Sequence, residues 1–238
     1  MLKQRLITAA ILIPIVVWSI LFLSTTAFAC CLAGVTILAA WEWFSIIGFN
    51  TSGQKLFTFS VLVLIAVLMS LLPASLLLFA ATLTWSAILA LVYNFAHKPL
   101  SDSINKLFMN KNVALVMAVV VLALFWHGAI QLHASSELGP QQLLYVMIIV
   151  WLADTGGYFA GKRWGKTSLA KAISPNKTWE GVGGAVVLGS VWALVGFYFG
   201  LAGSLSLVSW LLLSAIALSV SIVGDLFESL FKRCHSVK

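Results

Sequence analysis

The chain has 238 residues, 61% of them hydrophobic and only 9% charged, with a formal net charge of +7. A soluble domain carries about 45–50% apolar and about 25% charged residues, so a soluble module is excluded. What composition leaves is one integral-membrane domain over residues 1–238, all-α in class, a polytopic transmembrane helical bundle.

Lys3 and Arg5 precede an apolar run, and Ala27-Phe28-Ala29 resembles a signal-peptidase site. The run from Leu6 to Leu23 is longer than the about 7–15 residues of a signal h-region, so it is read as a retained first span. Apolar runs predict eight spans, at about 6–24, 27–48, 56–72, 74–95, 112–131, 142–160, 182–202 and 206–226. A different reading of 56–95 gives seven. The short breaks at Ser24-Thr25-Thr26 and Leu72-Pro73 predict helical hairpins. Cys30 and Cys31 are neighbours inside a predicted span, which argues against a disulfide framework. They read as small lipid-facing residues, with acylation of the pair as the rival reading. Histidines 97, 127, 133 and 235 lack ligand spacing and are given no role.

With the N-terminus in the cytoplasm, the inner segments are 1–5, 49–55, 96–111, 161–181 and the C-terminal end. These hold all 14 Lys and Arg residues and the outer loops hold none. That is the positive-inside bias in complete form, and adding or removing a span would place several cations outside.

The stretch from Trp151 to Lys177 departs from the apolar background. Asp154 sits inside an apolar run, and glycines 157, 161 and 165 recur every fourth residue. The cations Lys162, Arg163, Lys166, Lys171 and Lys177 then follow without an acid among them. That pattern suits a polyanion held at a membrane surface. Glu42, Asp154, Glu180, Asp225 and Glu228 lie near the cytoplasmic ends of predicted spans, where a carboxylate needs a partner or a polar cavity. Asp225, Glu228 and Lys232 share a helix face. Magnesium binds one or two carboxylates plus substrate phosphates, which makes Asp225 and Asp154 candidate metal ligands. Glu42, between Trp41 and Trp43, reads instead as charge pairing between helices.

Ser174-Pro175-Asn176-Lys177 predicts a helix start, with Ser174 as N-cap and Pro175 in the first position. Lys177 opposes the helix dipole there, which a bound phosphate would tolerate; a plain capped helix is the other reading. The glycine repeat likewise has two readings, close helix packing or the lining of a phosphate site. Three motifs fail. Residues 161–167 resemble a nucleotide P-loop but have three residues between the glycines where four are required. Asp154-Thr155-Gly156 spells the aspartic-protease triplet once, at the end of an apolar helix. Asn176-Lys177-Thr178 is a glycosylation sequon on the face predicted to be cytoplasmic.

Together Asp154-Thr155-Gly156-Gly157-Tyr158, Gly161-Lys162, Gly165-Lys166, Ser174 through Gly181 and Gly224 through Arg233 resemble bacterial phosphatidate cytidylyltransferase (CDP-diacylglycerol synthase). Leu2-Lys3-Gln4-Arg5 and Ala40-Trp41-Glu42-Trp43 are similar to that family as well. The resemblance implies an enzyme of the bacterial inner (plasma) membrane, multi-pass, with its site on the cytoplasmic side. It would join CTP to phosphatidate in phospholipid biosynthesis, with Mg2+ as cofactor. Membrane lipid is an expected partner and nucleic acid is not; homodimer formation is left open. The expected catalytic set is Asp225, Glu228, Lys232 and Arg233. Lys162, Lys166, Ser174, Asn176, Lys177 and Thr178 are expected to bind substrate, and Asp225 and Asp154 metal. In the family a Lys-Asp pair and further acidic segments follow the Lys-Arg pair. Here Lys238 matches that lysine and the sequence stops. The expectation is a chain cut short of family acids and of a last span, and inactive as written.

Rival classes are a transporter for anionic metabolites, a CTP-dependent polyprenol or dolichol kinase, and a non-catalytic protein whose basic patch binds anionic lipid.

Overall fold

The computed structural model describes residues 2–49, 51–98 and 101–235. Ser236, Val237 and Lys238, on which the expected truncation turns, lie outside the described residues. Nine helices and one short hairpin follow in order among them. They are α1 (Leu2–Phe22), α2 (Thr25–Ile47), α3 (Ser52–Ser70), α4 (Ala74–Phe95), α5 (Asp102–Met109), α6 (Lys111–Ala134) and α7 (Gly139–Trp164), then β1 (Ser168–Ala170), β2 (Ser174–Thr178), α8 (Trp179–Tyr198) and α9 (Leu207–Cys234).

Long helices occupy all eight predicted positions, and 56–95 holds two of them, α3 and α4. Seven among the described residues are long and apolar enough to cross a membrane. In α1 the described apolar part, Thr8–Phe22, is shorter than that. Ser24 and Pro73 stand at the starts of α2 and α4, where the short breaks predict turns. At the other end of α2, Gly48 takes φ 90°, a left-handed conformation that costs glycine little, and caps the helix. Lys55 staples α3 to α2 there, donating to Ser45 Oγ at 2.8 Å and lying 3.9 Å from the centre of the Trp41 ring.

The predicted boundaries are corrected where charge meets helix. α7 runs on to Trp164 and α9 to Cys234, so Lys162, Arg163, Lys232 and Arg233 sit in last turns, where cations oppose the exposed carbonyls favourably. α5 is an amphipathic helix that the span count overlooks, capped by Ser101 and burying Phe108 beside Phe227.

The predicted helix start at Ser174 is wrong. Ser174–Thr178 is a strand, antiparallel to β1, with Ser174 opposite Ala170 and Thr178 opposite Ser168. A residue before proline is pushed toward extended backbone, and proline itself is tolerated on an edge strand as readily as in a first helical turn. The cap comes four residues later. Thr178 has extended backbone (φ −129°, ψ 154°), and its hydroxyl accepts from Gly181 N–H at 3.1 Å.

The main core lies where α2, α3, α4, α5, α6, the hairpin and the end of α9 meet, around Phe44, Phe108, Ile173 and Leu230. α7 and α8 pack backbone to backbone. A Cβ added to Gly156 would lie 2.6 Å from the Gly184 carbonyl oxygen, so only glycine fits there. This decides most of the glycine question. Added Cβ atoms at Gly161 and Gly165 would meet Thr178 at 3.1 and 2.9 Å, which is close packing, whereas Gly157 lines a cavity.

Candidate active site

On α7, Val146, Val150, Asp154, Gly157 and Tyr158 fall three or four residues apart and so share one face. On α9, Ala217, Ser221, Asp225 and Glu228 make a similar stripe. Both stripes, with Asn176, Lys177 and Thr178 at the hairpin's end and Trp85 from α4, line one cavity of about 800 Å³. Its wall is mostly apolar, from Val146, Val150, Val182, Ala185 and Val220. The polar groups gather toward the hairpin end.

An ion pair joins Lys177 on β2 to Asp225 on α9. Asp154 lines the same cavity but forms no ion pair among the described residues. Glu228 also lines it, and pairs with Lys232 one turn on at 2.6 Å. Thus six of the predicted site residues, Asp154, Asn176, Lys177, Thr178, Asp225 and Glu228, line one cavity.

Five predicted site residues are placed elsewhere. Lys162 is exposed, its Nζ donating at 3.3 Å to Oη of Tyr158, which lines the cavity. Lys166 is exposed on the loop after α7 and does not line the cavity. Ser174 is committed to the sheet. Lys232 lines a second, smaller space, and Arg233 Nε donates to the carbonyl of Ile173. Closeness in sequence suggests one cluster of cations. The helix ends and the hairpin turn fan them apart.

That second cavity, about 330 Å³, lies behind α9 and takes Glu42 and Trp43 from α2. Glu42 makes no close ion pair among the described residues, but its charge acts on Lys232 of α9 across this cavity, in keeping with charge pairing between helices. Trp85, Gly224 and Glu228 border both cavities. Sequence reasoning missed Trp85 and Ser221. Trp85 carries no local signal inside an apolar span. Ser221 does carry one, as a polar residue one turn before Asp225.

Among the described residues no three His, Cys, Asp or Glu side chains come together as a metal cage. Asp154 and Asp225 in one cavity still fit magnesium, which takes one or two protein carboxylates and completes its shell with water and substrate phosphate.

The model of the cytidylyltransferase family matches residues 3–238. The chain belongs to that family. It is 34% identical over 264 residues to the phosphatidate cytidylyltransferase of Haemophilus influenzae, covering 100% of this chain and 88% of that protein. It is 36% identical over 240 residues to the phosphatidate cytidylyltransferase of Pseudomonas aeruginosa, covering 100% of this chain and 86% of that protein. A Bacillus subtilis phosphatidate cytidylyltransferase is 36% identical over 126 residues, 52% of this chain and 46% of that protein. For a member of the cytidylyltransferase family, the 800 Å³ cavity with its Lys177–Asp225 pair is the candidate active site.

Proposed function

We propose that this protein transfers the cytidylyl group of CTP to phosphatidate, giving CDP-diacylglycerol and pyrophosphate. The observation that carries the substrate pairing is the cavity's polarity: an apolar wall between membrane helices, ending in Lys177, Asn176, Asp154 and Asp225. A lipid with two acyl chains and a phosphate head has that same division. The names of its relatives support the same reaction.

In the reaction, a phosphate oxygen of phosphatidate attacks the α-phosphorus of CTP. The bond from that phosphorus to the bridging oxygen breaks, and pyrophosphate leaves with the electron pair. The attacking phosphate is already largely ionised near neutral pH, so no strong general base is required. Two polyanions must be brought together, and positioning and charge neutralisation carry such a step. Lys177 would take a phosphate oxygen, and Asn176 beside it can donate a further hydrogen bond. Thr178 holds the start of α8 against α7, which fixes where the strand delivers both. Asp225 and Asp154 would hold magnesium, which when bound neutralises the charge on the nucleotide phosphates. Glu228 supports from the next turn of α9, held by Lys232. The concentration of cations at one face supports a cytoplasmic site in a bacterial inner membrane.

The test is the full-length protein, purified in detergent, with CTP, phosphatidate and magnesium, following pyrophosphate and CDP-lipid together. Equimolar release of both is the expected result. CTP-dependent phosphorylation of a polyprenol instead, or no reaction with phosphatidate, would overturn the proposal.

A further inference from the structure

The sequence places Arg233 among the phosphate-holding cations, but the fold gives it another partner. Its Nε donates at 2.5 Å to the backbone oxygen of Ile173, sixty residues away in the hairpin turn. Ile173 is 1% exposed and Ala170, across the turn, is fully buried. Ile173 N–H donates to Ala170 O at 3.1 Å, and Ala172 N–H donates to Ala96 O, just past the end of α4, at 3.1 Å. The turn is therefore held by α4 on one side and by α9 on the other.

The same helix meets the hairpin a second time. Lys177, four residues beyond Ile173, pairs with Asp225, eight residues before Arg233. Eight helical residues rise about 12 Å, and four extended residues span about 13 Å. The two attachments are thus in register: β2 lies along the last turns of α9, tied at both ends. A two-stranded hairpin is marginal alone, so these ties set where its side chains point.

We propose that Arg233 is a positioning residue for cytidylyl transfer. By holding the Ile173 carbonyl, it fixes the register of β2 that presents Lys177 and Asn176 to the cavity. Its kinetic consequences rest on the proposed reaction, whereas its structural consequence does not.

The experiment is a double-mutant cycle on the purified protein with R233A, K177A and the pair, reading kcat and KM for CTP, alongside hydrogen exchange of residues 168–178. R233A is expected to lower kcat roughly 10- to 100-fold, the scale of an ångström's misplacement. KM for CTP should move less than about threefold, because no ground-state contact is lost. Added to K177A, R233A should cost much less than it does alone, since most of its effect passes through the Lys177 ammonium and only the placement of Asn176 remains to be lost. Hairpin amides should exchange faster while α8 is unchanged. Multiplicative losses carried by KM, with hairpin exchange unaltered, would overturn the proposal and make Arg233 a direct phosphate contact. If R233A does not fold, R233K, which keeps the cation but lacks Nε, carries the comparison. Lower kcat with faster hairpin exchange supports positioning, and wild-type behaviour in both overturns it. Should wild-type protein turn over neither CTP nor phosphatidate, the proposed reaction fails, and the exchange of the hairpin in R233A still decides the role of Arg233.

Discussion

Lys177 and Asp225 form an ion pair that joins the hairpin to α9 at the polar end of the cavity. The lysine side chain is 24% exposed and the aspartate 50%, so both can be reached by a ligand. The pair leaves each charge matched until nucleotide arrives. Binding would then divide it, with Lys177 turning to phosphate and Asp225 to metal.

If Lys177 meets the reacting phosphate as proposed, replacing it with Met removes that charge, and kcat is expected to fall about 10²- to 10³-fold. K177R should keep part of the rate. Initial rates of pyrophosphate release across a CTP series check this. A K177M protein with wild-type kcat would show that the phosphate lies elsewhere.

The α7–α8 contact makes a prediction about stability with a built-in control. A Cβ at Gly184 would fall 2.5 Å from the Gly156 carbonyl oxygen, whereas one at Gly183, its neighbour, meets nothing within 4 Å. Gly184→Val should therefore cost about 1–3 kcal/mol through overpacking. Gly183→Val should leave Tm in detergent nearly unchanged. Thermal unfolding of the two variants side by side is the measurement.

These contrasts show which parts of the molecule are legible in the sequence. The spans can be read because each is a long apolar run, and Asp225, Glu228 and Lys232 because helical spacing puts them on one face. The hairpin cannot, because Ser174-Pro175 fits a helix start and an edge strand equally well, and only pairing with Ala170 decides between them. The glycine repeat at 157, 161 and 165 draws attention away from Gly156, whose close approach to the Gly184 carbonyl lies across the interface with α8. Proximity in sequence groups Lys162 and Lys166 with Lys177, yet a helix end and a strand lead them to different places. Trp85 is invisible because the residue it lies against, Gly224, is far along the chain on α9.

Exposed cations outside the cavity should act at long range. Lys162 and Arg163 are exposed in the last turn of α7 and Lys166 just past it, suited to drawing a polyphosphate toward this face. Neutralising Lys162 and Lys166 together should raise KM for CTP a fewfold at low ionic strength, with kcat unchanged. The effect should fade as the Debye length falls to about 8 Å near 0.15 M salt. Steady-state kinetics at two salt concentrations tests this.

Trp85 stands between the two cavities with its ring against Gly224, where an added Cβ would lie 3.3 Å from it. Gly224→Leu should displace the indole and alter the apolar wall of the site. KM for phosphatidate should rise more than KM for CTP. Equal effects on both would mean that Trp85 does not shape the lipid side.

The central claim is that Asp225 links metal to turnover in a cavity shared by CTP and a phosphatidate headgroup. The most direct test is Asp225→Asn, assayed with CTP and phosphatidate across a magnesium titration in the purified full-length protein. Loss of turnover, with residual activity no longer responding to magnesium as the wild type does, is the predicted result. An Asp225→Asn protein with the wild-type rate and the wild-type magnesium dependence would contradict it.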